Sequence, residues 1–383
     1  MEIYLDNSAT TKPSEAVVAS ILDSMQHRWH NPSALYRPAM EVDRLIDEAR
    51  ETCLRAVNAS GHRLIFTSGG TEADNIAILG YLRRIRKPGR VLMSSVEHPA
   101  VSACAQEVAR LGHECLQIPV TRTGVIDLDA LESMLDERVL LICVMQVNNE
   151  SGAIQPIERI VSLRNRKCPE AAIHVDGVQG YLRVPLDFSR SGIQSYAFSG
   201  HKIHCCKGIG GLIVHRQHKL NPIVFGGGQE DGERSGTENV PGILALAAAV
   251  AAFPRDAAPQ MMRVKRTLYE KLIEAVPQAV LNGPALDDPA CAPHILNISF
   301  PPVRSQTMLF ALEGDGIYVS AGSACASKKQ KVSGILTAMG IANQLADCAL
   351  RFSLCPDVTE EQAAIVADAV RRHYALLSKY VRR

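Results

Sequence analysis

Short apolar segments alternate with helical segments between residues 64 and 214, and this pattern restricts the fold more than any other feature of the chain. The apolar segments hold few polar residues, as strands do when both faces of their sheet are covered. The predicted strands are Leu64–Phe66, Val91–Ser94, Glu114–Ile118, Val139–Met145, Ala172–Val175, Tyr196–Phe198 and Leu212–Val214. The helices predicted between them include Pro99–Leu111, Leu128–Leu135 and Ile157–Arg166. This alternation predicts an α/β fold, with a mostly parallel central sheet that carries helices on both faces.

The length of the chain predicts more than one domain. Its 383 residues exceed what one ordinary hydrophobic core accommodates. The segment Pro254–Pro259 follows an alanine-rich helix and resembles a linker. We expect a large domain over residues 15–254 and a smaller α+β domain over residues 255–383, which the N-terminal segment 1–14 joins.

The composition argues against several classes of function. The formal net charge of +1 disfavours a general nucleic-acid-binding surface, and the longest apolar run, Val240–Phe253, is too short to span a bilayer. We see no charged and then apolar segment at the start of the chain, so we expect no secretory signal. The 11 cysteines show no disulfide spacing. We therefore expect reduced thiols in a cytoplasmic protein.

Polar residues gather where the predicted strands end. His98, Asn149 and Asp176 each follow a different strand. In open α/β sheets this edge binds the ligand. Lys202 lies just beyond the strand Tyr196–Phe198, where a lysine can form a Schiff base with an aldehyde cofactor. A lysine on a solvated loop is the alternative interpretation, and for an isolated lysine it is the commoner case.

A pair of glycines follows the strand Leu64–Phe66 and precedes a helix. In T-S-G-G-T-E-A-D-N, Gly70 and Thr71 offer backbone N–H groups, a helix dipole and a hydroxyl, which suit a phosphate. A simple glycine turn with Thr71 as the helix cap explains the same residues equally well. This segment alone therefore leaves both interpretations open.

Taken together, these residues meet the needs of a pyridoxal phosphate site. Such a site needs a lysine, a carboxylate beside the ring nitrogen, a phosphate cup and a flat group over the ring. The candidates are Lys202, Asp176, Gly70 and Thr71 with Ser199 and His201, and His98. An isolated aspartate is more often a turn former, but four compatible parts at one sheet edge are much less expected by chance. We therefore predict pyridoxal 5′-phosphate as the cofactor, and no metal.

Motifs along nearly the whole chain, from residue 4 to residue 354, resemble those of the cysteine desulfurase family. In chain order these are Y-L-D-N-S-A-T-T, H-N-P-S, T-S-G-G-T-E-A-D-N, E-H-P-A-V, N-N-E-S-G, V-D-G-V-Q, S-G-H-K, G-G-G-Q-E, R-S-G-T-E-N-V, G-S-A-C and R-F-S-L. That family has the class V aminotransferase-like fold, which is fold type I of the pyridoxal-phosphate-dependent transferases. The resemblance implies removal of sulfur from L-cysteine.

The resemblance also implies a role for each candidate residue. Lys202 would bind the cofactor and move protons at the substrate Cα, and Asp176 would pair with the pyridinium nitrogen. His98 would stack on the ring and assist proton transfer. Arg351 would form a bidentate pair with the substrate carboxylate. The other implied contacts are Asn149 and Gln179 near the phenolic oxygen or the substrate, and Gly70, Thr71, Ser199 and His201 at the phosphate.

Two further implied residues concern a second subunit and the sulfur. In the family a threonine of the partner subunit completes the phosphate cup, and Thr237 matches it here, which implies a homodimer. Cys325, in G-S-A-C, matches the nucleophile, whose thiolate attacks the substrate sulfur and leaves a persulfide and L-alanine. Lys328 and Lys329 follow among small residues, a composition that favours the thiolate and predicts a mobile loop.

The long interval from Cys325 to the next predicted helix, near Ser333, resembles the family branch that hands sulfur to acceptor proteins. The implied acceptors are a scaffold for iron–sulfur cluster assembly or a tRNA sulfurtransferase. Neither direct contact with nucleic acid nor contact with a membrane is expected. The interval does not choose between the two acceptors.

The segment His204-Cys205-Cys206 departs from the family, which usually has glycine and proline at the positions of the two thiols. Two packed thiols are the favoured interpretation. A redox-sensitive or metal-binding patch is the alternative, which is weakened because adjacent cysteines rarely bind one metal well and a fourth ligand is not evident.

Other functions on the same fold stay open at this point. A selenocysteine lyase or another class V enzyme is the first alternative, although Cys325 argues against an aminotransferase, which needs no such thiol. A non-catalytic partner-binding protein is the second alternative. The joint presence of Lys202, Asp176, His98 and Arg351 argues against it.

Overall fold

Strands and helices alternate through the described residues of the computed structural model, which are 2–59, 61–321 and 333–380. The strands are β1 (Ile3–Tyr4), β2 (His62–Thr67), β3 (Arg90–Ser94), β4 (Glu114–Ile118), β5 (Val139–Met145), β6 (Ala172–Asp176), β7 (Ser195–Ser199), β8 (Gly210–His215), β9 (Val280–Leu281), β10 (Ile295–Ser299), β11 (Ile317–Tyr318), β12 (Ser320–Ala321) and β13 (Ala349–Ser353). The helices are α1 (Glu15–His27), α2 (Arg37–Arg55), α3 (Gly70–Leu82), α4 (Pro99–Ser102), α5 (Ala105–Arg110), α6 (Leu128–Met134), α7 (Ile157–Lys167), α8 (Phe188–Ser191), α9 (Val240–Ala252), α10 (Ala257–Ala275), α11 (Ser305–Gly314), α12 (Gly334–Ala338), α13 (Asn343–Ala346) and α14 (Glu360–Leu377). Short 3₁₀ turns lie at Gly200–Lys202, Glu230–Gly232 and Ser378–Tyr380.

The seven predicted strands form one 7-stranded sheet in the order β2-β8-β7-β6-β5-β3-β4. Strands β3 to β7 run parallel, whereas β8 runs antiparallel to both β2 and β7. The carboxyl ends of the parallel strands therefore share one edge. At that edge Gly210, the first residue of β8, lies opposite Ser199 of β7 and Thr67 of β2. The predicted mostly parallel α/β sheet is confirmed.

One predicted helix is wrong in its extent. The segment predicted as a single helix, Pro99–Leu111, is divided into α4 and α5. At the break the Cys104 N–H bonds the carbonyl of Val101, and its thiol donates to the carbonyl of Ala100 at 3.3 Å. The backbone bond at Cys104 therefore spans three residues, as in a 3₁₀ turn, although Ala103 and Cys104 keep right-handed helical angles.

Two of the six hydrophobic clusters of the described residues are much larger than the others. The larger core fills one side of the central sheet, where α1 and α2 pack against α9. The second core lies between α10, α11, α14 and a 4-stranded antiparallel sheet of order β12-β13-β10-β9. Ile3 and Leu5 from the N-terminus belong to this second core, and β1 pairs with β11. The domain boundaries at residues 14 and 254 stay predictions.

The described helices were also compared with the length and apolarity of a membrane span. No single described helix meets both, while α9 and α10 meet them only as a pair with a 70° bend between them.

Candidate active site

A cavity of about 340 Å³ opens at the carboxyl edge of the central sheet. It brings together ten of the predicted site residues, which are Gly70, Thr71, His98, Asn149, Asp176, Gln179, Ser199, His201, Lys202 and Arg351. Thr237 does not line this cavity, and its side chain is exposed. Cys325, with Lys328 and Lys329, lies outside the described residues.

Lys202 ends the 3₁₀ turn that follows β7. The turn is closed by Gly200, whose carbonyl accepts from the N–H groups of Ile203 and Cys205. The Lys202 Nζ donates to the carbonyls of Ser8 and Ala9, at 2.5 and 2.8 Å. Burial lowers the pKa of Lys202 to about 7, and the positive charges of Arg183 and Arg351 act in the same direction. This amine is therefore largely uncharged in slightly alkaline solution, which a nucleophile requires.

Asp176 is the last residue of β6 and is buried. Its Oδ1 accepts from the N–H of Val178 at 2.9 Å. Burial raises the pKa of this carboxyl, while the Val178 N–H and the charges of His98 and Lys202 oppose that shift. A cationic group placed beside Asp176 would therefore be strongly stabilised by a carboxylate that has little water around it.

His98 is the N-cap of α4. Its Nδ1 accepts from the N–H of Ala100 at 3.1 Å. This bond requires a neutral ring that carries its proton on Nε2. Burial lowers the pKa of His98, which agrees with the neutral form.

The glycine pair opens α3 toward the cavity. Gly69 is the N-cap, and no side chain caps the helix. A Cβ on Gly70 would lie 2.5 Å from Cγ2 of Val178, and one on Gly210 would lie 2.7 Å from Cα of Gly69. Only glycine allows these close approaches, and the helix N-terminus together with the buried Ser199 then forms a cup that suits a phosphate.

The cup is tied to the glycine-rich loop, residues 226–239, which carries Thr237. Glu72, in the first turn of α3, accepts from the N–H of Ser68 at 2.5 Å. It also accepts from Nε of Arg234 at 2.9 Å. This ion pair holds the loop close to the cup, although Thr237 itself lies outside the cavity.

Arg351, on β13, reaches the cavity from the second core. Its Nη1 donates to the carbonyl of Asn149 at 2.8 Å, and its Nη2 pairs with Oδ1 of Asp6 at 2.6 Å. Among the described residues, Nε of Arg351 and Oδ1 of Asn149 are buried and have no hydrogen-bond partner. Such atoms are costly unless a ligand uses them, so both residues fit a polar group in the cavity.

Gln179 is held from two sides. Its Nε2 donates to the carbonyl of Ser8 at 2.9 Å, and its Oε1 accepts from Nη1 of Arg183 at 3.1 Å. Arg183 also donates to the carbonyl of Lys202. The buried guanidinium of Arg183 therefore connects two site residues, and sequence reasoning missed it, although it follows Gln179 by only four residues.

Buried acids behind the cavity were also missed. Asp74 lines the cavity, and its Oδ1 lies 3.0 Å from Nε2 of His174, whose Nδ1 lies 2.9 Å from Oγ of Ser195. Burial raises the pKa of Asp74 well above its usual range and that of Glu97 to about 8, and the charge of Asp176 adds to both shifts. Asp74 follows Gly70 by four residues in the glycine motif, a spacing that could have placed it on the same helix face.

The thiols of Cys205 and Cys206 lie 3.9 Å apart. Cys205 is buried in the larger core, Cys206 is partly buried, and Nδ1 of His204 contacts the carbonyl of Lys12 at 3.0 Å. Within the described ranges, no group of three or more histidines, cysteines or acids is arranged to hold a metal. The buried Cys205 fits the packed-thiol interpretation, whereas Cys205 lowers the pKa of the Cys206 thiol to about 7, and the redox-sensitive alternative stays a prediction.

Comparison with known families and proteins agrees with this geometry. The family model of the aminotransferase class-V domain matches residues 3–366. A cysteine desulfurase of Nostoc sp. is 36% identical over 363 residues, which cover 94% of this chain and 90% of the relative. The cysteine desulfurase IscS of Dictyoglomus turgidum is 32% identical over 375 residues, which cover 97% of this chain and 94% of the relative.

Solved structures give the same result. A NifS-like protein superposes with a TM-score of 0.90 at 30% identity, covering 98% of this chain and 100% of its own. The structure of SspA in complex with cysteine superposes with a TM-score of 0.81 at 29% identity, covering 92% of this chain and 99% of its own.

Proposed function

This chain belongs to the aminotransferase class-V family, and on that premise we propose that it is a cysteine desulfurase that depends on pyridoxal 5′-phosphate. It removes sulfur from L-cysteine and yields L-alanine and a persulfide on Cys325. The single observation that carries the proposal is the cavity in which the Lys202 amine, Asp176, His98 and Arg351 converge. The relatives named cysteine desulfurase support the choice of reaction.

The residues present fit the cofactor. Gly70, Thr71, Ser199 and His201 would hold its phosphate, Asp176 its ring nitrogen, and His98 its ring face. Lys202 would hold its aldehyde carbon. When bound, the cofactor withdraws electrons from the Cα of an amino acid and so weakens the bonds around that atom.

The protein groups then have separate tasks. Arg351 binds the substrate carboxylate, because its guanidinium is fixed by Asp6 and Asn149 and still holds an unpartnered Nε. Lys202, whose pKa is near neutral, takes the proton from Cα and returns one later. His98, neutral with its proton on Nε2, orients and donates at the substrate side of the ring.

The sulfur itself passes to Cys325, whose assignment rests on the G-S-A-C motif. Its thiolate attacks the sulfur of the bound cysteine, an S–S bond forms and the Cβ–S bond breaks. The carbon product takes up protons and leaves as L-alanine. A neighbouring structure described as a complex with cysteine supports L-cysteine as the substrate.

We propose a homodimer in which Thr237 of each chain completes the phosphate cup of the other. Its exposed side chain and its loop, which Arg234 ties to the cup, support this arrangement. The persulfide is passed to an acceptor for iron–sulfur cluster assembly or tRNA thiolation, and the enzyme acts in the cytoplasm. The described cysteines, which are all free, support that location.

The test first incubates the protein with L-cysteine without reductant and measures L-alanine and the mass of the peptide that holds Cys325; dithiothreitol is then added and sulfide is measured. The wild-type protein is expected to give L-alanine and, after the reductant, sulfide, and its peptide is expected to be heavier by one sulfur atom before the reductant is added. Cys325→Ser should lose both, while Cys348→Ser, a change at a buried cysteine outside the cavity, should keep them. A Cys325→Ser protein that releases sulfide at the wild-type rate would refute the assignment. A much higher kcat/KM for L-selenocysteine would instead favour a selenocysteine lyase.

A further inference from the structure

An amine on α10 and a thiol in the loop before β10 are in direct contact, and neither residue lines the active-site cavity. The Nζ of Lys265, on α10, lies 2.9 Å from Sγ of Cys291. Both side chains are buried, with 2% and 5% of their surface exposed. A separation of 2.9 Å is usual for N–H···O bonds and is short for sulfur, which is the larger atom.

Lys265 has no acidic partner among the residues that the structure describes. Its other contact is the carbonyl of Ala292, at 2.7 Å. Burial lowers the pKa of Lys265, so the uncharged, nucleophilic amine is more accessible than in an exposed lysine. A buried ammonium that serves only packing would normally face a carboxylate, and here a thiol takes that place.

We propose that Lys265 and Cys291 form a covalent nitrogen–oxygen–sulfur bridge when the protein meets hydrogen peroxide. One peroxide oxidises the thiol to a sulfenic acid and releases one water. A second peroxide oxidises the amine side, and the two groups join through a single oxygen with loss of two more waters. Overall R–NH₂ + R′–SH + 2 H₂O₂ gives R–NH–O–S–R′ + 3 H₂O. Nitrogen and sulfur each lose two electrons, and each peroxide accepts two.

The thiol lies directly behind the protein surface. Cys291 follows the turn at residues 288–290, whose residues are exposed or only partly buried. Its N–H bonds the carbonyl of Asp288 at 2.9 Å. A small local opening of this turn is enough to admit a molecule the size of peroxide.

The bridge would join two parts of the protein that meet beside the active site. Cys291 pairs with Ala153, and the N–H of Ala292 bonds the carbonyl of Gly152 at 2.9 Å. This loop follows directly after Asn149, which lines the cavity. The bridge would therefore fix α10 to the loop at Cys291 and Ala292, which in turn bonds Gly152 and Ala153, close in sequence to the cavity residue Asn149.

Peptide mass spectrometry tests the proposal. The reduced holoprotein is treated with hydrogen peroxide, its remaining thiols are alkylated, and it is digested without reductant. We expect one linked pair of peptides, holding Lys265 and Cys291, with the summed mass plus one oxygen and minus two hydrogens. Dithiothreitol should remove this species. Recovery of Cys291 only as alkylated, sulfinic or sulfonic forms, with the Lys265 peptide unlinked, would overturn the proposal.

Three variants control the assignment. Lys265→Met keeps the length and packing of the side chain without its amine, and Cys291→Ala removes the thiol, so each must lose the linked species. Cys348→Ala must keep it, because Cys348 is another buried cysteine and forms no hydrogen bond with a lysine of the described residues. A species that persists in Lys265→Met or Cys291→Ala contradicts the proposal. Activity is not the readout, because peroxide also attacks a catalytic thiol.

Discussion

Arg351, which lines the active-site cavity, forms an ion pair with Asp6, with 2.6 Å between Nη2 and Oδ1. The two residues are separated by 345 positions in the chain. Only 7% of the Arg351 side chain and 20% of the Asp6 side chain are exposed, so solvent screens the pair weakly. The pair fixes the plane of the guanidinium that we assign to the substrate carboxylate.

Replacing Arg351 by lysine should weaken substrate binding. A lysine keeps the charge but cannot reach Asp6, the Asn149 carbonyl and a carboxylate at once. We expect the KM for L-cysteine to rise by about tenfold or more, which corresponds to roughly 1.4 kcal/mol. Steady-state kinetics of alanine formation measure this KM. Asp6→Asn keeps the shape of the pair and should raise KM less, and an Asp6→Asn effect as large as that of Arg351→Lys would contradict this division of roles.

The uptake of pyridoxal 5′-phosphate by the cofactor-free protein should depend on pH through Lys202. Only the uncharged amine attacks the aldehyde, and its pKa is lowered to about 7, so the rate should rise with pH and reach half its plateau near pH 7. Visible absorbance follows the reaction, and borohydride should then leave a pyridoxyl group on Lys202. Lys202→Ala should take up no borohydride-stable label. A half-plateau above pH 9 would show that the cavity does not lower this pKa.

The stability of the fold should fall as the pH rises because of Glu97. Its pKa is raised by burial to about 8, so the folded state keeps a proton that the unfolded state loses near its ordinary value. The stability that this group contributes is present at low pH and is lost as the pH rises toward 8. Glu97→Gln should remove this loss of stability at high pH, because glutamine does not ionise. Its amide oxygen can still accept the Met145 N–H, which in the wild type bonds Oε1 of Glu97 at 2.7 Å.

Thermal midpoints of Glu97→Gln and the wild type should therefore diverge between pH 5 and pH 8 and stay parallel above it. The gain for the variant is at most about 1.4 kcal/mol per pH unit. Glu137→Gln, at an exposed glutamate, provides the control and should follow the wild type at every pH. Parallel curves for all three proteins would show that Glu97 is ionised in the folded state.

Gly210 should not tolerate a side chain. A Cβ there would lie 2.6 Å from the Phe198 carbonyl oxygen and 2.7 Å from Cα of Gly69, and neither backbone atom can move aside freely. We expect Gly210→Ala to cost about 1–3 kcal/mol in folding free energy and to weaken cofactor binding, because the phosphate cup shifts.

The matched control is Gly314→Ala, at the end of α11, where a Cβ would have nothing within 4 Å. That change should be neutral or stabilise by up to about 1 kcal/mol. Chemical denaturation and titration with pyridoxal 5′-phosphate measure both variants. Equal stability and equal cofactor affinity of the two variants would contradict the steric argument.

Local patterns were sufficient for the architecture. Continuous apolar runs mark strands such as β5, and the polar residues that end such strands, such as Asp176, lie at one edge because parallel strands end together. The break between α4 and α5 escaped prediction, because it is one 3₁₀-type backbone bond at Cys104 and leaves no mark in the apolar pattern.

What the chain alone determined is the sheet, its ligand edge and the residue types that pyridoxal chemistry needs, because apolar runs and glycine placement are local properties of the sequence. Only the tertiary structure decided which side chains form ion pairs and hydrogen bonds with one another. Asp6 meets Arg351, Arg183 connects Gln179 to Lys202, and Lys265 meets Cys291 only when distant segments pack together. The lowered pKa of Lys202 has the same origin, since burial, and not the neighbours in sequence, is its largest cause.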